Sequence, residues 1–300
     1  MNDKADEGLM RLIFLLAGNG ISGDRERNGK NAGREEPVIP KLEIRTFCCE
    51  SEEHLQQVLG AVTQTAKERE RTLFLADAGW IYQKLRQEGC YAAGYMHEGN
   101  RTERFSGASY VVEEPKEIDL DSYEKIWQRA SGRPWCIAKT PRLFLREMVP
   151  GDLESLYLLY EDEEARRFLE PLSEDHGKEA ELLDAYIERM YPFYGFGMWA
   201  VCRRSDGLLI GRAGLSPCRQ GESAVELGYL IRKDMRGQGF AREAGEAILD
   251  FARRELGQTQ VDLYTDSANE ASQKTAKALG FICLDKTGKT QKWRAHWDDQ

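Results

Sequence analysis

The sequence predicts a mixed α/β protein with two domains. The chain has 300 residues, which is about twice the length of a common single domain. Between residues 41 and 138, apolar runs with strand spacing alternate with helical patterns, as in a small parallel α/β domain. After residue 139, three apolar strands follow one another through tight turns, which predicts a central mixed, mostly antiparallel sheet. We therefore expect domains over 41–138 and 139–300, with an N-terminal segment and flexible linker over 1–40.

The charge balance and the cysteine pattern exclude several classes of function. The chain carries 51 acidic and 42 basic residues, a formal charge of −9, which argues against nucleic-acid and anionic membrane partners. Seven cysteines and four histidines show no spacing typical of a metal site. The apolar run over 12–17 is too short to span a bilayer. These features predict a cytoplasmic protein with reduced thiols and no metal.

In the N-terminal half, strands and helices are expected in alternation. An apolar run over 9–17 predicts a short strand or helix that docks on the domain. Gly, Asn, Arg and Glu dominate residues 19–40, which is typical of a linker. The patterns predict strands over 42–45, 72–76, 90–96 and 108–112, and helices over 52–67, 80–87 and 122–129.

In the C-terminal half, the strand signals are stronger. The patterns predict strands over 142–147, 198–202, 208–215, 224–231 and 261–265, with a further strand starting at Phe281. Helices are expected over 152–160 and 179–191, and a long one after a glycine turn ends at Gly257. Asp266 or Ser267 can cap a last helix that ends at Gly280.

A glycine turn between strand and helix is the first motif that indicates chemistry. Arg236-Gly237-Gln238-Gly239 opens the long helix directly after an apolar strand. Glycines let the backbone approach a ligand, and the unpaired N–H groups of the first turn favour an anion. Arg236 would add a fork of donors. The motif suits a phosphate or pyrophosphate, although it lacks the Lys of a P-loop, and Arg242 replaces the third glycine of a dinucleotide fingerprint. Taken alone, a turn that starts an ordinary helix explains it equally well.

A second motif downstream decides between these interpretations. Asn269-Glu270-Ala271-Ser272 precedes Gly280-Phe281, and the order strand, R-G-x-G-x-A, helix, strand, N-x-x-S, G-F is specific. It resembles the GNAT superfamily of N-acetyltransferases, in particular its ribosomal-protein-alanine acetyltransferase-like branch, from about Arg142 to Trp297.

The resemblance implies a GNAT fold with two splayed strands and an acyl-CoA-dependent N-acyltransferase. Acetyl-CoA would be the co-substrate, and no metal is implied. The family's pyrophosphate loop matches Arg236, Gly237, Gln238, Gly239, Phe240 and Ala241. The pantetheine arm would pair with the backbone of Tyr229, Leu230 and Ile231, and Asn269 would contact it.

The catalytic groups follow partly from the strand pattern. Glu226 is a lone charge on a strand expected to be buried, and desolvation would raise its pKa towards that of a general base. The family often carries a glutamate here; the alternative is that Glu226 only bonds an arginine such as Arg212. Many members also carry a tyrosine in the last helix that protonates the leaving thiolate, but residues 268–280 contain no tyrosine. Ser272 matches a serine that the resembled branch often carries near the thioester, which makes it the candidate acid; the alternative is an ordinary exposed helix serine.

The acceptor is expected to be a small-molecule or peptide amine. Acidic residues crowd the region 161–184, which in the resembled fold borders the acceptor cleft, and a negative rim would attract a cationic amine. Solvated helix faces are the alternative. Tyr194 and Phe196 could form a wall of the acceptor pocket, or simply pack in the core.

The N-terminal half resembles a degenerate haloacid-dehalogenase-like or Rossmann-like domain. The resemblance lies in Leu73–Asp77 and Gly107–Val112; Leu15 and Ala17 then stand where that family has paired aspartates. We expect a non-catalytic domain for binding, docking or dimerisation, so a homodimer is among the expectations. The alternative to an N-acetyltransferase is a non-enzymatic acyl-CoA or nucleotide sensor, while a phosphatase is disfavoured by the missing aspartates.

Overall fold

The computed structural model describes residues 8–17, 39–40, 42–169, 171–218, 225–286 and 288–297. The chain divides into two compact units, Met1–Arg133 and Pro134–Gln300. The sequence predicts the boundary between residues 138 and 139. The first unit ends earlier than that, because Cys136–Lys139 already forms a strand of the second unit. The predicted linker over 19–40 lies almost entirely outside the described residues.

The first unit contains a five-stranded, wholly parallel sheet, as the sequence predicts. Its strands are β1 (Arg11–Ala17), β2 (Glu43–Cys49), β3 (Thr72–Ala76), β4 (Tyr91–Tyr95) and β5 (Val111–Val112), in the order β2-β1-β3-β4-β5. Its helices are α1 (Glu52–Val62), α2 (Ala66–Glu70), α3 (Gly79–Gln87) and α4 (Leu120–Ala130). The run over 9–17 is thus a strand, and it lies next to the centre of the sheet.

The predicted helix over 52–67 is two helices. Thr63 ends α1, where its hydroxyl bonds the Leu59 carbonyl. Thr65 then starts α2 through a capping box with Glu68. Hydroxyl side chains compete for backbone groups in this way, and two of them close together break the helical pattern.

The second unit contains an eight-stranded mixed sheet. Its strands are β6 (Cys136–Lys139), β7 (Leu143–Arg146), β8 (Met198–Arg203), β9 (Leu209–Pro217), β10 (Val225–Ile231), β11 (Gln260–Asp266), β12 (Ile282–Asp285) and β13 (Thr290–His296). They lie in the order β12-β13-β11-β10-β9-β8-β7-β6, and only the β10–β11 pair is parallel. Its helices are α5 (Leu153–Tyr160), α6 (Glu163–Arg166), α7 (His176–Tyr194), α8 (Phe240–Arg254) and α9 (Glu270–Ala278).

The two faces of this sheet have separate cores. Leu227 and Ile231 of β10 pack on the face that buries Ala244 and Ile248 of α8. Leu230 points to the other face and belongs to a cluster with Leu159 of α5 and Leu183 of α7. Alternate residues of β10 therefore face different helices. In the part of the chain that is described, no helix is long and apolar enough to cross a membrane.

Candidate active site

A gap opens between the two parallel strands of the second sheet. β10 pairs with β11 only at Val225↔Val261 and Glu226↔Asp262, although β10 continues to Ile231 and pairs with β9 along its whole length. Among the described residues, no strand pairs with residues 227–231 on the β11 side. Apart from the Ile231 carbonyl, which accepts from the Arg236 side chain, backbone groups on this side of the stretch are available to an extended ligand. This is the splay that the resemblance implies.

The helix that follows this strand starts without a side-chain cap. Gly239 is the N-cap residue of α8, with φ of 80°, and Gly237 has φ of 72°. Within the described chain, no side chain hydrogen-bonds to this cap, whereas Ser51, Asp119, Asp175 and Asn269 cap other helices with their side chains. Orphan N–H groups and the positive end of the helix dipole together form a place for an anion.

Contacts of Thr140 and Arg142 with Gln238 and Glu243, together called the clamp, hold this turn, and the sequence did not predict them. Arg142 donates from Nη1 to the Gln238 carbonyl at 2.9 Å, and its Nε contacts Glu243 Oε2 at 2.6 Å. The same guanidinium lies over the Phe240 ring, 4.5 Å from its centre. Thr140 also donates to Glu243, at 2.6 Å. The start of β7 is thus tied to the first turn of α8. Neither the residue types nor their spacing predicts the clamp, because its partners are far apart in sequence.

Arg236, predicted to bind the pyrophosphate, contacts groups of this chain. Its Nη1 contacts Asp162 Oδ2 at 2.6 Å, and its Nε donates to the Ile231 carbonyl at 3.0 Å. The Asp162 side chain is only 5% exposed, and Lys233 lies 3.5 Å from its other oxygen. The Arg236 guanidinium is therefore engaged in linking the end of β10 to the α5–α6 connection.

Glu226 lies where β10 and β11 part. It is half-buried, and its register partners are Ser216 on β9 and Asp262 on β11. Asp262 is fully buried and paired with Arg294 at 2.6 Å and Lys292 at 3.1 Å. Burial raises the pKa of Asp262, but the hydrogen bonds and charges of Arg294 and Lys292 outweigh it, so the pKa lies below the ordinary value.

Ser272 lies on the other face of the sheet from Glu226. Its hydroxyl is 2.8 Å from the Tyr229 hydroxyl, so α9 is linked to β10. Burial raises the pKa of Tyr229, although hydrogen bonds to Ser272 and Thr275 oppose this, and the phenol keeps its proton. Asn269, rather than Asp266 or Ser267, caps α9, where it accepts from the Ser272 N–H. The Asp266 carboxylate instead accepts from Ala268 N.

The two predicted acceptor aromatics differ in environment. Phe196 is buried in the core with Trp199 and Tyr191, which agrees with the core alternative. Tyr194 is 40% exposed and its ring centre lies 5.4 Å from that of Phe196. Of the acids over 161–184, Asp162 holds Arg236, Asp175 caps α7, and Glu179 accepts from Ser173 N. Part of the predicted acidic rim is therefore engaged in structural contacts.

Comparisons with known proteins agree with this geometry. Residues 142–282 match the family model of the acetyltransferase (GNAT) domain. The uncharacterized protein YkkB of Bacillus subtilis (strain 168) is 27% identical over 144 residues, 47% of this chain and 83% of that protein. An uncharacterized N-acetyltransferase of the same organism, YoaA, is 25% identical over 145 residues, 48% of this chain and 82% of YoaA.

Among solved structures, the spermidine N-acetyltransferase of Vibrio cholerae in complex with CoA and spermine is 20% identical. The match covers 52% of this chain and 96% of that one, with a TM-score of 0.45. The family match begins at Arg142 of the clamp and includes the gap, the glycine turn and Ser272. Residues 142–282, in the C-terminal half of the chain, are therefore a GNAT acetyltransferase domain.

Proposed function

We propose that the second unit is an acetyl-CoA-dependent N-acetyltransferase that transfers the acetyl group to a primary amine by direct attack. The observation that carries the proposal is the early end of β10–β11 pairing at Glu226↔Asp262, followed by an uncapped helix start. All seven cysteines are free, which supports a reducing, cytoplasmic location.

The residues at the gap and at the turn fit acetyl-CoA. The N–H groups over 237–241 would bind the pyrophosphate, where the two glycines have positive φ and a side chain would hinder close approach. The unpaired side of Tyr229–Ile231 would bind the pantetheine arm as an added strand. Asn269, which caps α9, would contact the pantetheine arm through its side-chain amide. Bound acetyl-CoA supplies an acetyl group already activated as a thioester.

Two side chains would move protons during the transfer. Glu226, at the point where the strands part, accepts the proton of the attacking amine, directly or through water. Ser272, hydrogen-bonded to the Tyr229 hydroxyl, would donate a proton to the sulfur of the departing CoA thiolate. A thiolate whose pKa is about 8.5 needs little assistance to leave, so we expect Glu226 to matter more than Ser272.

Calorimetry with acetyl-CoA, followed by free-thiol detection with a panel of amines, tests the proposal. We expect saturable binding and thiol release that depends on the amine. Binding without thiol release across amines, amino acids, peptides and aminoglycosides would instead support a non-enzymatic acyl-CoA sensor. No binding at millimolar acetyl-CoA would contradict both functions.

A further inference from the structure

Arg212, on the central strand β9, has no carboxylate partner among the described residues. Its Nη1 donates to the Tyr160 hydroxyl at 3.1 Å, and its Nε is buried with no hydrogen-bond partner. The alternative that Arg212 binds Glu226 is therefore not realised. A buried cationic donor without an acceptor is costly, so a protein that keeps one has a use for its charge.

Two tyrosines, Tyr160 and Tyr186, lie near this guanidinium, and each hydroxyl still has its own proton to donate. The Tyr186 hydroxyl accepts from Met198 N at 2.7 Å, and that of Tyr160 accepts from Arg212. In the described chain, neither phenol donates a hydrogen bond to any acceptor. Burial raises the pKa of Tyr186, although the charge of Arg212 opposes this, so its phenol keeps its proton. The cluster thus offers one guanidinium edge and two O–H groups, and it lacks an acceptor.

The cluster lies on the same face of the sheet as the proposed base. Arg212 is in register with Leu230, and Glu226 and Leu230 share a face because side chains alternate along a strand. The β10–β11 gap borders one side of β10, and β9 borders the other side, with neighbouring strands about 5 Å apart. Arg212 is thus in register with the stretch Tyr229–Ile231, along which the pantetheine arm is proposed to bind.

We propose that Arg212, supported by Tyr160 and Tyr186, binds a carboxylate of the acceptor, so that the acceptor is an amino acid or a short peptide whose amine lies a few bonds from its carboxylate. This inference rests on the proposed function, since it specifies the acceptor of the same reaction. A guanidinium offers donors in a fork that matches the two oxygens of a carboxylate. One positive charge beside two phenols suits a monoanion better than a doubly charged phosphate.

Matched pairs of ligands test the inference without requiring turnover. Glycine, β-alanine, γ-aminobutyrate and the proteinogenic amino acids are titrated into the protein–CoA complex by calorimetry, each beside its carboxamide. We expect the carboxylate member of at least one pair to bind about 10- to 100-fold more tightly, because a hydrogen-bonded charge pair is lost in the amide. The Arg212→Gln variant should remove this preference and leave the affinity for the amide unchanged.

Controls separate a loss of recognition from a loss of folding. Arg212→Lys keeps the charge without the fork and should retain only part of the preference. Arg204→Gln, on an exposed residue of the β8–β9 turn, should retain all of it. Equal binding or no binding of acids and amides by the wild type would overturn the inference, as would tighter binding of aminomethylphosphonate than of glycine. Acetyl-CoA binding and amine-dependent thiol release are measured separately on the same samples. The proposed function is contradicted by the failure of either one, whereas equal binding of acids and amides overturns only this inference.

Discussion

The starts of two helices, one in each unit, differ in what occupies them. Both α3 and α8 follow a strand of a central sheet, and neither has a side-chain cap from its N-cap residue. At α3, the Glu103 carboxylate accepts from the Gly79 N–H at 2.7 Å. At α8, two glycines with positive φ leave the first N–H groups uncovered by any described side chain. The chain fills one anion site with its own carboxylate and leaves the other open.

The same contrast holds for the polar groups around the two sheets. Ligands of open parallel sheets bind beyond the carboxyl ends of the strands where the strand order reverses, which here is between β1 and β3. There, Asp77 accepts from Ala17 N at 2.6 Å and contacts His97 at 3.3 Å, while Asn100 bonds the Asp77 carbonyl. These groups bond one another. In the second unit, Arg212 Nε and the N–H groups at the start of α8 have no side-chain acceptor among the described residues.

The largest expected effect is on the rate, from Glu226→Gln. Loss of a general base should lower the rate of amine acetylation by about 100-fold or more, while calorimetry should show acetyl-CoA affinity unchanged. Asp77→Asn in the first unit is the matched control and should leave the rate as it is. Wild-type turnover by Glu226→Gln would remove the base role, and a rate loss in Asp77→Asn would break the contrast between the units.

A smaller effect is expected at the open helix start. Gly239→Val places a branched side chain at φ of 80° against the anion site and should weaken acetyl-CoA binding by about 10-fold or more. Gly257→Val, just beyond the other end of α8, has φ of 61° and open space around its Cβ position. It carries similar backbone strain without touching the turn, so its affinity should match that of the wild type. Equal losses in both variants would show that strain, not the site, is responsible.

Removing the carboxylate that fills the α3 start should change stability but not binding. Glu103→Ala leaves the Gly79 N–H without its acceptor and should cost about 1 kcal/mol of unfolding free energy in urea. Glu98→Ala, an exposed acid nearby in sequence, is the control and should cost less. A reduced acetyl-CoA affinity in Glu103→Ala would contradict the separation of roles between the two units.

The smallest effect concerns pH and the buried pair beside the gap. The folded-state pKa of Asp262 lies below its ordinary value because Arg294 and Lys292 outweigh its desolvation. Its contribution to stability is therefore present above the unfolded pKa of about 3.9 and is lost as the pH falls through the lower folded value. Thermal melting should show that Asp262→Asn has a shallower loss of stability than the wild type below about pH 4. Parallel curves would show that this carboxylate is not linked to folding.

Local patterns predicted much of the fold. The apolar run over 72–76, the alternation over 224–231, the turn at 236–239 and the stop at Gly280 rest on the conformational preferences of neighbouring residues. These expectations agree with β3, β10, the glycine turn and the end of α9. The break at Thr63–Thr65 was missed because two hydroxyl side chains decide it against a continuous helical pattern.

The candidate site, like the fold, could be predicted from the sequence only in part. Glycines and the N-x-x-S motif were visible because backbone conformation and helix capping need particular residue types at fixed spacing. The Arg142–Glu243 clamp, the Arg236–Asp162 pair and the Tyr229–Ser272 contact were not visible. Each joins residues distant in the chain, and the charge of an arginine does not reveal which acid it meets.

By itself, the sequence determined the two-unit α/β organisation, the gap-forming strand order implied by the family resemblance, and the turn at the start of α8. Only the tertiary structure decided which donors are already satisfied: Arg236 is engaged by Asp162, while the Nε of Arg212 has no partner within the described chain. The physical reason is that periodicity and turn chemistry act between neighbours in the chain, whereas the partner of a charge is set by folding.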